Sequence, residues 1–351
     1  MIIQKNLKMG TLKKILLTGA SGTVGFEVLK QLMINKIKYE ITIFDVKTSK
    51  NIKKFSPYKG AVNIVYGDIT KESDVLKVCY NQDVVIHLAA IIPPLADDKP
   101  TLSHKVNAVG TQILIRLLEL HSPHTFLVYS SSISVYGDRL SDPMIYVSDS
   151  LNPSEGDEYA KTKILAENSI KNCNLDWTIF RLTAIMGGHK ISKLMFHQPL
   201  KTSLEIATPA DTARAFVKAI DQQNQLSKKI FNLGGGENCR IRYDDFLSRS
   251  FEIFGLGKLN FLPKSFADKN FHCGYYADGD VLNDLLSFRT DTLEDYFENQ
   301  KNNISGFTKS LISVFKMPIK KYLQKQSEPL TAYVDNDLKM MEHYFITNNL
   351  K

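Results

Sequence analysis

Six apolar runs mark the first half of the chain, near residues 14–18, 40–45, 62–66, 83–89, 125–130 and 176–182. Each is short, and several are rich in β-branched or aromatic residues, as in strands buried on both faces. Segments of helical length lie between most of them. The clearest spans 103–121, where Val106, Ile113, Leu114, Leu117 and Leu118 share a face at helical spacing. Strand and helix in alternation predict parallel strands with helices on both sheet faces. Right-handed crossovers then give an α/β doubly wound sheet, whose ligands bind outside the carboxyl ends of the strands.

The pattern loosens after about residue 184. Segment 185–210 carries Gly187, Gly188, Pro199 and Pro209 and is expected to be mostly loop. A helix near 210–221, a strand near 229–233 and helices near 242–254 and 291–300 follow. In the tail, 301–351, Phe307, Leu311, Ile312, Val314 and Phe315 stand beside several lysines. Such a stretch could lie on a membrane surface, but packing on the body or on a second subunit is the expectation.

Composition adds exclusions. The net charge of +7 comes from 44 basic and 37 acidic residues, with the lysines scattered in pairs, so no nucleic-acid tract is indicated. Cys79, Cys173, Cys239 and Cys273 form no CxxC pair, which argues against a zinc site or disulfide framework and fits reduced thiols in the cytoplasm. No apolar run approaches the length of a membrane span. Residues Met1 to Lys14 are basic but lack a continuous apolar region, so they read as a short extension rather than a signal peptide, with Met9 a possible start.

Candidate chemistry begins at Thr18-Gly19-Ala20-Ser21-Gly22-Thr23-Val24-Gly25. The stretch follows the first apolar run and precedes a helical pattern, so the three glycines occupy a strand-to-helix turn. Such a turn lets a dinucleotide pyrophosphate approach the backbone and rest on the positive end of a helix, the Rossmann arrangement. Asp45 stands twenty residues past Gly25, at the end of the second strand, where a carboxylate would bind the adenosine ribose. A carboxylate there repels a 2′-phosphate and so favours NAD over NADP, although Lys47 nearby could relax that preference.

Tyr159 and Lys163 lie four residues apart in a helical stretch, on one face. A nearby ammonium favours the phenolate, which lets a tyrosine take a proton from a substrate hydroxyl. A strand ending in Ser130-Ser131-Ser132 could supply a hydroxyl to orient the reacting oxygen. Taken alone, the tyrosine and lysine could equally be two surface residues.

Together these motifs resemble an extended short-chain dehydrogenase/reductase of the NAD-dependent epimerase/dehydratase family. The resemblance covers roughly residues 13–300 and rests on Thr18–Gly25, Asp45, Gly67-Asp68-Ile69, His87-Leu88-Ala89-Ala90, Asn107 with Gly110-Thr111, Ser130–Gly137, Tyr159 with Lys163, and Arg181. It implies cofactor binding by Gly19, Ser21, Gly22, Thr23, Val24, Gly25, Asp45, Asp68, Ile69, Leu88, Ala89, Ala90 and Asn107. It further implies Ser132, Tyr159 and Lys163 as catalytic residues, with Tyr159 and Lys163 also at the cofactor, Lys163 binding the nicotinamide ribose and lowering the tyrosine pKa. Structural roles are the competing reading for Asp68, His87 and Asn107, and for His87 the preferred one.

The resemblance divides the chain into an N-terminal extension (1–12), a dinucleotide-binding Rossmann domain (13–184), a smaller substrate-binding region interleaved with late sheet elements (185–300) and the tail (301–351). It also implies a homodimer joined through helices 103–121 and 157–172 of each subunit.

After Ser132 the chain has Ile133-Ser134, where the family's 4,6-dehydratases carry an Asp-Glu pair and its fucose-forming reductases a nearby cysteine. The expected activity is therefore an NAD-dependent sugar-modifying one, foremost a nucleotide-sugar epimerase. The alternatives are a dehydrogenase or ketoreductase acting on a smaller alcohol, and a non-catalytic NAD-binding sensor. Only thirty residues separate Arg181 from Asp211, a short stretch for holding a nucleotide. Candidate substrate contacts are Ser132, Arg181 and His197, then Gln198, Lys201 and Asn232. Asp211 is expected to begin a helix near the site, with N-capping as its structural role. The aromatic segment Phe271 to Tyr276 could line the pocket, but core packing is the expectation.

Overall fold

The computed structural model describes residues 12–187 and 193–346. The extension up to residue 11, Gly188 and the end of the tail therefore lie outside the described residues. Seven parallel strands form the central sheet: β1 (Lys13–Thr18), β2 (Tyr39–Asp45), β3 (Asn63–Tyr66), β4 (Val84–His87), β5 (Phe126–Ser132), β7 (Asp176–Leu182) and β10 (Lys229–Leu233), after the short β6 (Met144–Ile145) has left the sheet. Their order is β10-β7-β5-β4-β1-β2-β3. β1 pairs with β2 on one side and β4 on the other, so the winding reverses there and a crevice opens at its carboxyl end.

Alternation along each strand feeds two cores. Ile15 and Leu17 of β1 join Phe126 and Val128 of β5 on one face, under helices Thr23–Ile34 and Pro209–Ala219. Leu16, Leu127 and Tyr129 face the opposite way, toward helices Gly110–His121 and Glu158–Lys171. Both strand faces are dry, which is why these runs read as continuous apolar stretches. The helix expected over 103–121 is observed as Pro100–His104 and Gly110–His121 joined by a π turn, Lys105–Val109.

The smaller region holds a three-stranded sheet in the order β11 (Arg240–Arg242), β9 (Ser203–Ala207), β8 (Ala184–Ile185), and a pair formed by β12 (Tyr275–Tyr276) with β6. Within segment 185–210, expected to be mostly loop, β9 is a strand that the sequence pattern did not show. Leu204 and Ile206 pack into the second region's core, while Glu205 between them is wholly buried. Its carboxylate accepts from Arg240 Nε (3.0 Å), Gly236 N (3.0 Å) and Tyr276 N (3.0 Å). A buried acid disguised the strand, because partners for it arrive only from distant segments. Asp211 does not cap its helix. Thr208 is the N-cap, and Asp211 instead accepts from the backbone of Thr290 and Asp291.

From residue 306 the tail folds into four short helices, Gly306–Val314, Lys316–Gln324, Glu328–Val334 and Leu338–Tyr344. Met341, Tyr344 and Phe345 bury themselves against Ala267 of the body.

Candidate active site

The turn after β1 is shaped by its glycines. Gly19 has φ +70°, and a Cβ there would come within 2.6 Å of the Ala89 amide nitrogen. A Cβ on Gly25 would strike the Gly19 carbonyl oxygen. The helix that starts at Thr23 has no side-chain cap on Gly22, so its first N–H groups are left for an incoming anion. Gly19, Gly22, Thr23, Val24 and Gly25 line one end of a cavity of about 570 Å³, beside Leu88 and Ala90. Only glycine admits this close packing, and the open amides fit a dinucleotide pyrophosphate.

Ser132, Tyr159 and Lys163 meet in the middle of the same cavity. β5 ends at Ser132, and Tyr159 stands in the first turn of helix Glu158–Lys171, which Asp157 caps by accepting from Ala160 N (2.8 Å). Lys163 Nζ donates to the Ser130 carbonyl (2.7 Å) and lies 5.8 Å from the centre of the Tyr159 ring. Burial lowers the Lys163 pKa to about 7, with the Glu167 charge opposing. Burial raises the Tyr159 pKa, against a hydrogen bond from Ser132 that favours phenolate. Burial therefore favours the neutral form of both groups, and positive charge entering beside them would favour the Tyr159 phenolate alone.

Several expected cofactor contacts serve the scaffold. Asp45 is buried, accepting from Ser21 N (2.7 Å), Val46 N (2.8 Å) and Asn51 Nδ2 (3.1 Å), which locks the glycine turn onto β2. Lys54, which the sequence did not single out, donates to the Ser21 carbonyl (2.7 Å). Asp68 accepts from Thr70 N (2.9 Å) and Thr70 Oγ1 (2.8 Å), while Ile69 packs in the core, and neither lines the main cavity. Ala89 supports the turn through its amide, which donates to Thr18 Oγ1 (3.2 Å). His87 is fully buried between the Thr18 and Thr111 hydroxyls.

Asn107 and Arg181 lie outside the cavity lining. The Asn107 side chain pairs with both backbone groups of Ile91 (2.8 and 2.9 Å), as well as Ser103 and Thr162. A buried amide must satisfy its donors and acceptor, and here protein atoms satisfy them. Arg181 likewise does not line the cavity. It is buried in a bidentate pair with Glu167 (Nε–Oε1 3.0 Å, Nη2–Oε2 2.8 Å) and also donates to Tyr136 OH (2.7 Å). Burial opposes its charge, but the Glu167 hydrogen bonds raise its pKa overall. Glu167 also accepts from Ser131 Oγ (2.5 Å), so one carboxylate ties β5, β7 and the Tyr159 helix together.

The far end of the cavity is roofed by distant segments. His197 lines it, with Nε2 2.8 Å from Glu328 Oε2. Glu328 also receives Lys193 Nζ (2.9 Å) and Tyr344 OH (3.2 Å). The His197 hydrogen bond, ahead of opposing burial and the Lys193 bond, lowers the Glu328 pKa to about 2. His272 Nδ1 stands 3.1 Å from Asp157 Oδ2, with its ring stacked on Phe271. Phe271 and His272 therefore line the pocket, against the expectation that this segment only packs the core, whereas Cys273 and Tyr276 are buried as expected. Gln198 is buried, Lys201 is exposed, and Asn232 bonds Tyr136 and Asp278, so none of these three joins the lining.

Residues 16–182 match the model of the 3-beta hydroxysteroid dehydrogenase/isomerase family. The chain is 30% identical over 258 residues, 65% of its length and 78% of the relative's, to an uncharacterised UDP-glucose epimerase of Bacillus subtilis (strain 168). The chain belongs to the NAD-dependent epimerase/dehydratase family of extended short-chain dehydrogenases/reductases. It is also 27% identical over 264 residues to a mouse (Mus musculus) 3 beta-hydroxysteroid dehydrogenase type 7, covering 69% of this chain and 71% of that one. The fold matches a UDP-glucuronic acid 4-epimerase from Bacillus cereus solved with UDP-glucuronic acid and NAD. The TM-score is 0.70 at 21% identity, over 85% of this chain and 99% of that one. The family model ends within β7, so the roof built by His197, Glu328 and Tyr344 lies beyond it.

Proposed function

We propose that this family member is an NAD-dependent, sugar-modifying oxidoreductase, foremost a nucleotide-sugar epimerase working through transient oxidation of a hydroxyl to a ketone. One observation carries the reading: Ser132, Tyr159 and Lys163 meet in a single cavity that opens onto the glycine turn. The B. subtilis relative supports the substrate class. Bound NAD would supply the hydride acceptor. Gly19 to Gly25 would hold its pyrophosphate, and Asp45, with Asp68 and Ile69 nearby, would stand on the adenosine side. Ser132 holds the substrate oxygen, and Tyr159 Oη takes the hydroxyl proton as the carbon loses hydride. The Lys163 ammonium, turned from the Ser130 carbonyl toward the ribose, favours the phenolate. In the reverse step Tyr159 returns the proton to the oxygen.

A second reading, a dehydrogenase or ketoreductase on a smaller alcohol, draws on the apolar residues beside the site. Ile92, Pro93, Leu194 and Phe271 line the cavity. Both readings share the same chemistry at Tyr159 and differ in whether the ketone leaves.

The test incubates nucleotide sugars and small alcohols with NAD and the protein, with Tyr159→Phe as control. A new sugar isomer without net NADH supports the epimerase, whereas net NADH supports the dehydrogenase. Tyr159→Phe is expected to lose on the order of 10²–10⁴ of the rate while binding NADH as the wild type does. Substrates left unchanged throughout, with NADH bound, would overturn both in favour of a sensor.

The homodimer belongs to the same proposal. Helices Gly110–His121 and Glu158–Lys171 present Leu120 (65% exposed) and Leu165 (41%), apolar positions suited to a four-helix interface. Light scattering showing a monomer at micromolar concentration would count against it. Four free cysteines fit a reducing compartment, which favours the cytoplasm.

A further inference from the structure

Helix Gly306–Val314 buries none of its residues. Phe307, Leu311, Val314 and Phe315 recur at helical spacing along one side, with Phe307 79% and Val314 76% exposed. Met317 and Tyr322 on the next helix extend the patch. The opposite side is anchored, since Ile312 and Ile319 pack beside Phe251, Leu256 and Leu323. The exposed stripe therefore sits on a fixed support. Between Glu298 and Glu328 the chain carries six lysines and no acidic residue. Lys309, Lys316, Lys321 and Lys325 are exposed around the stripe, whereas Lys320 is buried and donates to Asn260 Oδ1 (2.6 Å).

We infer that this face seats the protein on an anionic lipid bilayer. Lysines flanking apolar and aromatic side chains match an interface whose headgroups are negative and whose interior is apolar. A second copy is the poorer occupant, because a two-fold axis would set the same lysines against one another. Among the described residues no helix is long and apolar enough to cross a membrane, so the association is peripheral. The segment runs directly into Glu328, so the lipid-seated helices and the pocket roof are consecutive along the chain.

Cosedimentation of the full chain with phosphatidylcholine vesicles, with and without phosphatidylserine, tests this. Binding is expected only with phosphatidylserine and is expected to fall as salt rises. Each exposed lysine removed should weaken it roughly fivefold, so Lys316→Glu with Lys321→Glu loses well over tenfold. Phe307→Ser with Phe315→Ser should also release the protein. Both double variants should keep wild-type NADH affinity and thermal midpoint, since these positions touch neither the glycine turn nor Tyr159. Absence of cosedimentation, or its persistence in both variants, would overturn the inference. So would light scattering in which the wild type, free of vesicles, is a dimer that Phe307→Ser with Phe315→Ser converts to a monomer.

Discussion

Lys163 shows how one residue serves both folding and chemistry. Its folded pKa of about 7 lies below the unfolded lysine value of about 10.4. Between those limits the unfolded chain binds more protons, so its contribution to stability rises as pH increases through that window. Lys163→Met should flatten the rise, which urea midpoints at about pH 7 and about pH 9 would reveal. An unchanged slope would mean the amine is not buried as described. Tyr159, Lys163 and Ser132 were legible in the sequence because their spacing and order are local properties. Glu167 was not. Four residues after Lys163 it resembles a solvent-exposed helical ion pair, and only the arrival of Arg181 and Ser131 shows it to be a buried strut. The Arg181 side of this pair was hidden for the same reason: its partner lies on another element.

At the scale of elements, the strand-turn-helix unit follows from chemistry written in consecutive residues. Glycine alone tolerates the φ of Gly19 and the contact at Gly25. Gly25→Ala should force the helix away from the turn, costing about 1–3 kcal/mol and weakening NADH binding at least tenfold. Thermal melting and fluorescence titration would check both, and retention of both would show that the turn has slack. β9 was missed because Glu205 breaks an otherwise short apolar run, and a buried charge cannot be foreseen without its partners. The π turn at Asn107 escaped notice for a similar reason. Its Asn107 side chain is held by the Ile91 backbone, outside the helix.

Across the whole molecule, the pocket is closed by a segment more than a hundred residues beyond Tyr159. Glu328, His197 and Tyr344 join three stretches of chain into one roof. Glu328→Gln removes the charge that holds His197 and Lys193, so it should raise substrate KM several-fold while leaving NADH affinity unchanged. An equal loss of both would mark a general loosening instead of a role at the substrate end. Nothing in the tail's own sequence announces this, since a glutamate between lysines reads as solvated surface. The sequence by itself determined the sheet, the glycine turn, the Tyr159–Lys163 pair and the family, because each depends on periodicity or fixed spacing along one stretch of backbone. Tertiary structure alone decided which polar residues face the cavity and which are struts, and what roofs the substrate end. Those outcomes depend on hydrogen-bond partners brought together from distant parts of the chain, because a buried charge or amide is costly without one.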